Sequence, residues 1–376
     1  MRIVIVRTST HIVNLETYNC QELGLAKALI RKGHEAFIIT PDKKTEHLQI
    51  PVEGKKDVAV YKVKFFSLNK AVCWHQNVTK ILNQIKPDII NMNGFTSTMC
   101  LYYTLWSMRH KCKIVTIQGN YDTTQKTVLK QLELLATYTI GKYVLNHVDG
   151  VGGKTLWAGK FVQRFKKTPV VLTRIGLDIS KFEHAKYIDW RKDLGITDKK
   201  VLLYVGVQEP RRNPLFLIDI MTKLPEEYVL LLVGDGPSIN YVNQSIANNH
   251  LQSRIFQLGK LSQDQLPSLY KTADLFLLPS SYEIYGMVLL EAMYFGLPVI
   301  SSLTAGSDCI IENDIDGVVI NKLDVQEWTR KIHNMIENTY KYESMKIAAR
   351  HKIENCLTWD KTVNEFITLY IKALNK

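Results

Sequence analysis

The sequence predicts an α/β protein built from two doubly wound parallel sheets. At 376 residues the chain exceeds the length at which a single core keeps growing. Apolar, β-rich runs alternate with helical patterns from end to end, as parallel strands with crossover helices require. The alternation restarts at VLLYVGV, residues 201–207, as a second sheet would. In the first half the expected strands are residues 2–6, 36–40, 58–63, 88–92, 113–117 and 150–152. The first helix, near 20–32, ends at Gly33-His34, where glycine suits a helix C-terminus. Pro87 then marks the entry to the strand DIINMN, because the residue before a proline is driven out of the helical region. Between the halves, TPVVLTRIGLDISKF (168–182) reads as a strand and a connector, which sets a boundary near residue 172. The second half continues through YVLLLVGDGP, RIFQLGK, ADLFLLPS and GLPVISS. The tail, 359–374, has the pattern of an amphipathic helix outside the second repeat.

Composition narrows the class. A hydrophobic content of 46% is ordinary for a globular protein. No apolar stretch approaches the ~20 residues that span a bilayer, and the apolar run at the N-terminus is too short for a signal peptide. The six cysteines lack C-x-x-C pairs and partners at metal spacing, as expected of reduced thiols in a cytoplasmic protein. The net charge of +12 is uneven: residues 1–170 hold 25 Lys and Arg against 11 Asp and Glu, a net +14, while residues 171–376 hold 23 against 25, a net −2. A basic half implies either a solvated face or an anionic partner, a membrane leaflet or nucleic acid. The stretch 63–82 mixes Lys64, Lys70 and Lys80 with Phe65, Phe66 and Trp74, and Lys62 directly precedes it. Such a segment suits an anionic membrane interface, and equally a core-packed strand and helix.

The most informative segment is PSSYEIYGMVLLEAMYFGLPVISS, residues 279–302. A strand leads in, a helix starts around Gly286, Met287 and Val288, and a second strand leads out. The free N–H groups of such a helix start receive anions, above all phosphate. Glu283 precedes the helix and Glu291 is expected roughly two turns inside it, about 12 Å further along at 1.5 Å per residue. Two carboxylates so far apart cannot share a proton, but they can hold hydroxyls at opposite ends of one phosphate-containing ligand.

With its PS, E, G, LLEAM and GLPVI elements in order, this segment resembles the E-x7-E signature of the retaining glycosyltransferases of family 4. That resemblance implies the GT-B fold, two Rossmann-like domains facing each other across a cleft. Residues 1–172 would form the acceptor side, with helix 359–376 crossing back onto it, and residues 173–358 would bind a nucleotide-sugar donor. Glu283 inherits contact with the transferred sugar and Glu291 contact with the ribose. YVGVQEPRRNP (204–214) stands in the family's diphosphate-gripping stretch. Gly206 is kept, Val207 replaces the usual Arg, Arg212 stands for the usual Lys, and Arg211 lies alongside. A guanidinium can fork onto phosphate oxygens where an ammonium cannot. Gly236 belongs to the cleft-shaping VGDGP turn. Gly259, Lys260 and Leu261 stand where the family's backbone meets the nucleobase edge. The small residues Thr304 to Ser307 would line the donor pocket by close backbone approach.

The first half departs further. The family's Gly-Gly pair falls at Glu16-Thr17, and Gln118 replaces a common His near the sugar. Gln118 can bond a hydroxyl but cannot titrate. Asn120 and Asp122 follow it as acceptor or sugar contacts. The resemblance implies transfer to a saccharide or lipid-linked saccharide in bacterial surface polysaccharide synthesis, on the cytoplasmic side and peripheral to the inner leaflet. No cofactor and no obligatory metal are expected, since no DxD-like pair stands at a strand end. Two rivals are a nucleotide-sugar 2-epimerase of the same fold and a non-catalytic protein binding an anionic surface or nucleic acid. No nucleic acid partner is expected, because no helix-turn-helix, zinc or RNA-binding signature is present.

Overall fold

A computed structural model describes residues 1–15, 20–68, 72–122, 134–183 and 185–376. The chain forms two compact units, Met1–Gly176 together with Trp359–Lys376, and Leu177–Thr358. The division lies four residues beyond the one placed from sequence. The reason is local: the Thr173 N–H donates to Gly153 O, and Arg174 bonds Glu365 through both its backbone N–H and its guanidinium, which ties the connector to the first unit.

In the first unit the described strands are β1 (Arg2–Val6), β2 (Glu35–Asp42), β3 (Glu46–Ile50), β4 (Val58–Ser67), β5 (Cys73–His75), β6 (Ile89–Asn93), β7 (Lys113–Gln118), β8 (Gly150–Gly153) and β9 (Val171–Leu172). The sheet order is β3-β4-β2-β1-β6-β7-β8-β9, parallel except where β3 and β5 run antiparallel to β4. The order reverses between β1 and β6, the switch point at which open α/β sheets bind ligands beyond their strand C-termini. β3 and β5 were not expected from sequence. EHLQI is a mostly exposed edge strand, and CWH is too short to show a period.

The segment 63–82 therefore divides into the end of β4, the partnered β5, and the helix Val78–Ile85. Phe66 and Trp74 pair across the hairpin with ring centroids 6.4 Å apart, while Lys62 is occupied by Asp42 and Glu46. Lys70 and the Glu16-Thr17 pair lie outside the described residues.

The helix Trp359–Leu374 belongs to the first unit. It packs on β7, β8 and the helix Gln21–Arg31, burying Trp359, Phe366 and Tyr370. Gly24 permits the contact: a Cβ there would overlap the Trp359 indole.

The second unit is an all-parallel six-stranded sheet in the order β12-β11-β10-β13-β14-β15. Its strands are β10 (Lys200–Val205), β11 (Tyr228–Val233), β12 (Ile255–Gly259), β13 (Leu275–Leu278), β14 (Val299–Ser302) and β15 (Val318–Ile320). β11 and β13 are buried at every position, so they read as continuous apolar runs rather than as alternation. The switch point falls between β10 and β13, the strands that lead into YVGVQEPRRNP and PSSYEIYG.

Candidate active site

Chain geometry alone brings the two motifs together, because β10 and β13 are paired neighbours at the switch point. Beyond β10 the chain makes a single turn, Pro210–Arg212, and closes it at Asn213 with φ of 50°. Asn tolerates this left-handed conformation better than most residues. Its Nδ2 donates to Pro279 O and to Ser281 Oγ, both at 2.7 Å, and the Ser281 N–H donates to Arg211 O at 2.8 Å. The loop carrying the arginines is thus stitched to the loop carrying Glu283.

Glu283 is 8% exposed. Arg212 Nη1 lies 2.7 Å from its Oε2, but out of line for a hydrogen bond, so the contact is ionic and Oε2 accepts no hydrogen bond. Glu209, which sequence reasoning missed, holds Arg211 at 2.7 Å and stands 3.8 Å from Arg212. Arg211 also donates to Tyr282 O at 3.0 Å. Two carboxylates therefore already engage the two guanidinium groups expected at a diphosphate.

Gly286 caps the helix Met287–Tyr294 with φ of 85°, and the N–H groups of half-buried Met287 and Val288 donate to no acceptor among the described residues. The helix starts where the sequence places it, but Glu291 lies about one turn inside it rather than two. Glu291 is only four residues from its start, about 6 Å along the axis. Glu291 is 4% exposed and accepts a hydrogen bond of 2.8 Å from Tyr270 Oη. Burial pushes its pKa up to about 7, and the Tyr270 bond offsets only part of that rise. Tyr270 lies on the helix Leu266–Thr272, so no spacing in the sequence pointed to it.

The glycines fix the close approaches. Gly206 ends β10 beside the Tyr204 hydroxyl, and a Cβ on Gly236 would overlap the backbone of Gln208. The Gln208 side chain is fully buried and bonds Gly234 O and Gln257 Oε1. Gly259 ends β12, two strands from β10, and its carbonyl accepts from the Gly234 N–H at 2.7 Å. Lys260 is exposed and Leu261 half-buried. Val207 is 49% exposed, with no cation in the family's Arg position. The backbone approach expected at Thr304–Ser307 occurs within the protein: Gly306 N–H donates to Glu283 O at 3.3 Å, and a Cβ on Gly306 would overlap the Tyr285 carbonyl. Gly306→Ala is expected to cost about 1–3 kcal/mol by overpacking, seen as a lower thermal midpoint, and to displace Glu283.

In the first unit Gln118 is buried at the end of β7, where its Nε2 donates to Asn120 O at 2.8 Å. Asn120 is half-buried and Asp122 exposed in the following loop. Next to them is a cluster that sequence reasoning passed over. Arg7, just after β1, clasps both oxygens of Glu22 at 2.7 and 2.8 Å, and Asn93 donates to Glu22 at 2.8 Å. Lys154, just after β8, donates to Gln21 Oε1 at 2.8 Å. Burial pushes Glu22 up, but Arg7 and Lys154 more than offset it, leaving its carboxyl below the usual range. Burial also lowers the Lys154 pKa to about 8. Arg7, Asn93 and Lys154 stand at or just past strand C-termini, a position that could have revealed them, while Gln21 and Glu22 open the helix Gln21–Arg31.

Comparison with known proteins agrees with this geometry. Residues 187–352 match the family model "Glycosyl transferases group 1", and residues 23–152 match "Glycosyltransferase Family 4". The chain belongs to glycosyltransferase family 4. An uncharacterised glycosyltransferase of Methanocaldococcus jannaschii is 24% identical to this family 4 member over 93% of each chain. An Escherichia coli UDP-Gal:alpha-D-GlcNAc-diphosphoundecaprenol alpha-1,3-galactosyltransferase is 26% identical over 78% of this chain and 77% of its own. Among solved structures, Anabaena HepE in complex with UDP superposes with a TM-score of 0.75 at 18% identity, covering 99% of this chain and 100% of its own. Sucrose-phosphate synthase from Thermosynechococcus elongatus gives 0.77 at 16% identity over the whole of both chains. The fold of this glycosyltransferase is therefore GT-B.

Proposed function

We propose that the enzyme transfers a sugar from a nucleotide-sugar donor to a hydroxyl of a saccharide or lipid-linked saccharide, retaining anomeric configuration. The biological setting is the synthesis of a bacterial surface polysaccharide at the cytoplasmic side of the membrane. Glu283 carries the reading: it is a buried carboxylate with an oxygen that accepts no hydrogen bond, beside two arginines and an open helix start. Arg212 holds one of its oxygens at 2.7 Å, and an ionised carboxylate has further lone pairs that can accept a sugar hydroxyl. The N–H groups at Met287 and Val288, with Arg211 and Arg212, suit a diphosphate. Glu291, one helical turn on, offers its carboxylate to a ribose diol. Gly206 and Gly236 let the donor approach the backbone, and Gly259, Lys260 and Leu261 face the nucleobase edge. Gln118, Asn120 and Asp122 contact the sugar or the acceptor.

In the reaction the acceptor oxygen bonds to the anomeric carbon on the face from which the diphosphate departs. The carbon–oxygen bond to the diphosphate breaks with its electron pair on that oxygen, which takes up the acceptor proton. No side-chain base is required, consistent with a non-titrating Gln118. The protein positions the reactants and stabilises charge on the departing group. No cofactor and no obligatory metal enter this scheme. HepE, solved in complex with UDP, and the Escherichia coli galactosyltransferase that uses UDP-Gal support a uridine nucleotide and a lipid-diphosphate acceptor.

A panel of UDP-, GDP- and ADP-sugars tests the reading by thermal stabilisation. A ligand at 100 times its Kd adds about 2.7 kcal/mol, so a UDP-sugar should raise the midpoint by several degrees while the others do not. Failure of every donor to shift it at millimolar concentration would overturn the proposal. Removing the internal competitor is a second check. Glu209→Gln should tighten UDP binding by about two- to five-fold by calorimetry, a modest gain because the pair is partly exposed.

A further inference from the structure

The structure assigns a saccharide-stacking platform to the outer face of the β4–β5 hairpin in the first unit. β4 keeps its partners β2 and β3 no further than Lys64, and from Phe65 to Ser67 it pairs with β5. The hairpin therefore projects past the C-terminal edge of the sheet, the edge at which open α/β sheets bind ligands. Two contacts anchor it beside the switch point between β1 and β6. Cys73 Sγ donates to the carbonyl of Thr8, two residues past β1, at 3.6 Å. The Cys73 N–H donates to Thr98 Oγ1 at 3.0 Å and the Cys73 carbonyl accepts from it at 2.6 Å, and Thr98 opens the helix that follows β6. Alternation along β5 then decides which side chains face out. Cys73 and His75 are buried, while Trp74 between them is 48% exposed. Phe66, its partner in register on β4, is 59% exposed.

The composition of this face selects its occupant. The Phe66 and Trp74 rings lie 6.4 Å apart and are tilted by only 30°, so together they form an open ledge rather than an edge-to-face pair. Residues two apart on a strand share a face, which puts Lys64 and Gln76 on one side of the ledge and Leu68 on the other, all exposed. Five side chains are far fewer than the ~20–30 residues a side that a stable protein interface uses. An anionic bilayer calls for a cluster of bases, whereas this face carries Lys64 alone and has Asp42 and Glu46 at its foot. A pyranose ring fits both parts. One face of a gluco-configured ring presents only C–H bonds, whose positive edge suits the negative face of an aromatic ring. The hydroxyls around that ring find a donor in Lys64 and a donor and acceptor in Gln76. The platform holds part of a saccharide chain away from the reacting centre, an assignment that rests on the saccharide acceptor proposed above.

The test is saturation-transfer NMR on the full chain with maltohexaose, cellohexaose and chitohexaose at millimolar concentration. Stacking reads the C–H face that these sugars share, so the wild type should pass saturation to ring protons of at least one of them. Phe66→Ala combined with Trp74→Ala should weaken that binding by about ten-fold or more, the effect of losing an aromatic anchor. Trp74→Phe keeps a ring in place and should retain it. Both rings are exposed, so the melting midpoint and UDP binding should be unchanged in every variant. UDP binding reads the second unit. Its failure with saccharide binding intact would overturn the donor reading alone, and the reverse would overturn the platform alone. Saturation of none of the three sugars, or wild-type binding in the double Ala variant, overturns the assignment. So does sedimentation with anionic vesicles, in place of saccharide binding, that the double variant abolishes, which would make the face a bilayer contact.

Discussion

Replacing Glu283 by Gln is expected to lower kcat by roughly 10²–10³-fold, the range seen when one pre-organised polar contact to a transition state is removed. The expectation rests on placement. Glu283 is the buried acid at the switch point, paired with Arg212, and its own carbonyl is tied to Gly306. Gln preserves volume but presents a neutral oxygen, so it orients a hydroxyl less well and stabilises no positive charge at the anomeric carbon. Donor affinity should move the other way. Arg212, released from the ion pair, is free for the diphosphate, and UDP binding should hold or tighten. Stability should fall by about 3–5 kcal/mol, because the pair is largely buried and its loss leaves Arg212 only the 3.8 Å contact with Glu209. Glu283→Ala should abolish transfer in a protein that still melts cooperatively. Steady-state kinetics, calorimetry and melting on the same samples separate these effects. A Gln variant with wild-type kcat would remove Glu283 from the chemistry.

What the sequence made legible, and what it hid, divides along physical lines. Parallel strands buried on both faces leave unmistakable apolar runs, so VLLYVGV, YVLLLV and LFLL stood out, and the motifs at their ends could be placed on loops. Edge elements gave no such signal: EHLQI is largely solvent-facing, and β15 is only three residues long. Within the site, anything set by short-range chain geometry was readable, including the helix start at Gly286 and the arginine pair. Its partners were not. Glu209 is one more charge in a loop until folding sets it against Arg211, and Tyr270 reaches Glu291 from a helix 21 residues away. The Glu22 cluster draws on the ends of three strands and a helix start, and the sequence separates Arg7 from Asn93 by 86 residues. Such groupings are consequences of sheet order, which single-residue patterns do not encode.

Glu291→Gln should divide stability from function more sharply than any other change. In the folded protein burial raises this carboxyl from 4.5 to about 7. The sign follows from linkage: below the unfolded pKa the group is protonated in both states and costs nothing. As pH rises from about 4.5 to 7 the unfolded chain releases its proton while the folded one retains it, so stability is lost across that window and stays lost above it. A shift of this size corresponds to roughly 3 kcal/mol. Gln carries no charge to bury and still accepts from Tyr270, so the variant should melt several degrees higher at pH 8 and no higher at pH 4. Yet the ionised form is the better acceptor for two ribose hydroxyls, since charged acceptors make hydrogen bonds roughly twice as strong as neutral ones. Affinity for a UDP-sugar, whose own diphosphate does not titrate near neutrality, should therefore fall in the wild type as pH drops through 7. In the variant it should be weaker by about ten-fold at pH 8 and flat with pH. A wild-type affinity that does not change between pH 6 and 8, or a Gln variant that melts no higher at pH 8, would show that Glu291 is not the strained, ligand-facing acid that its burial implies.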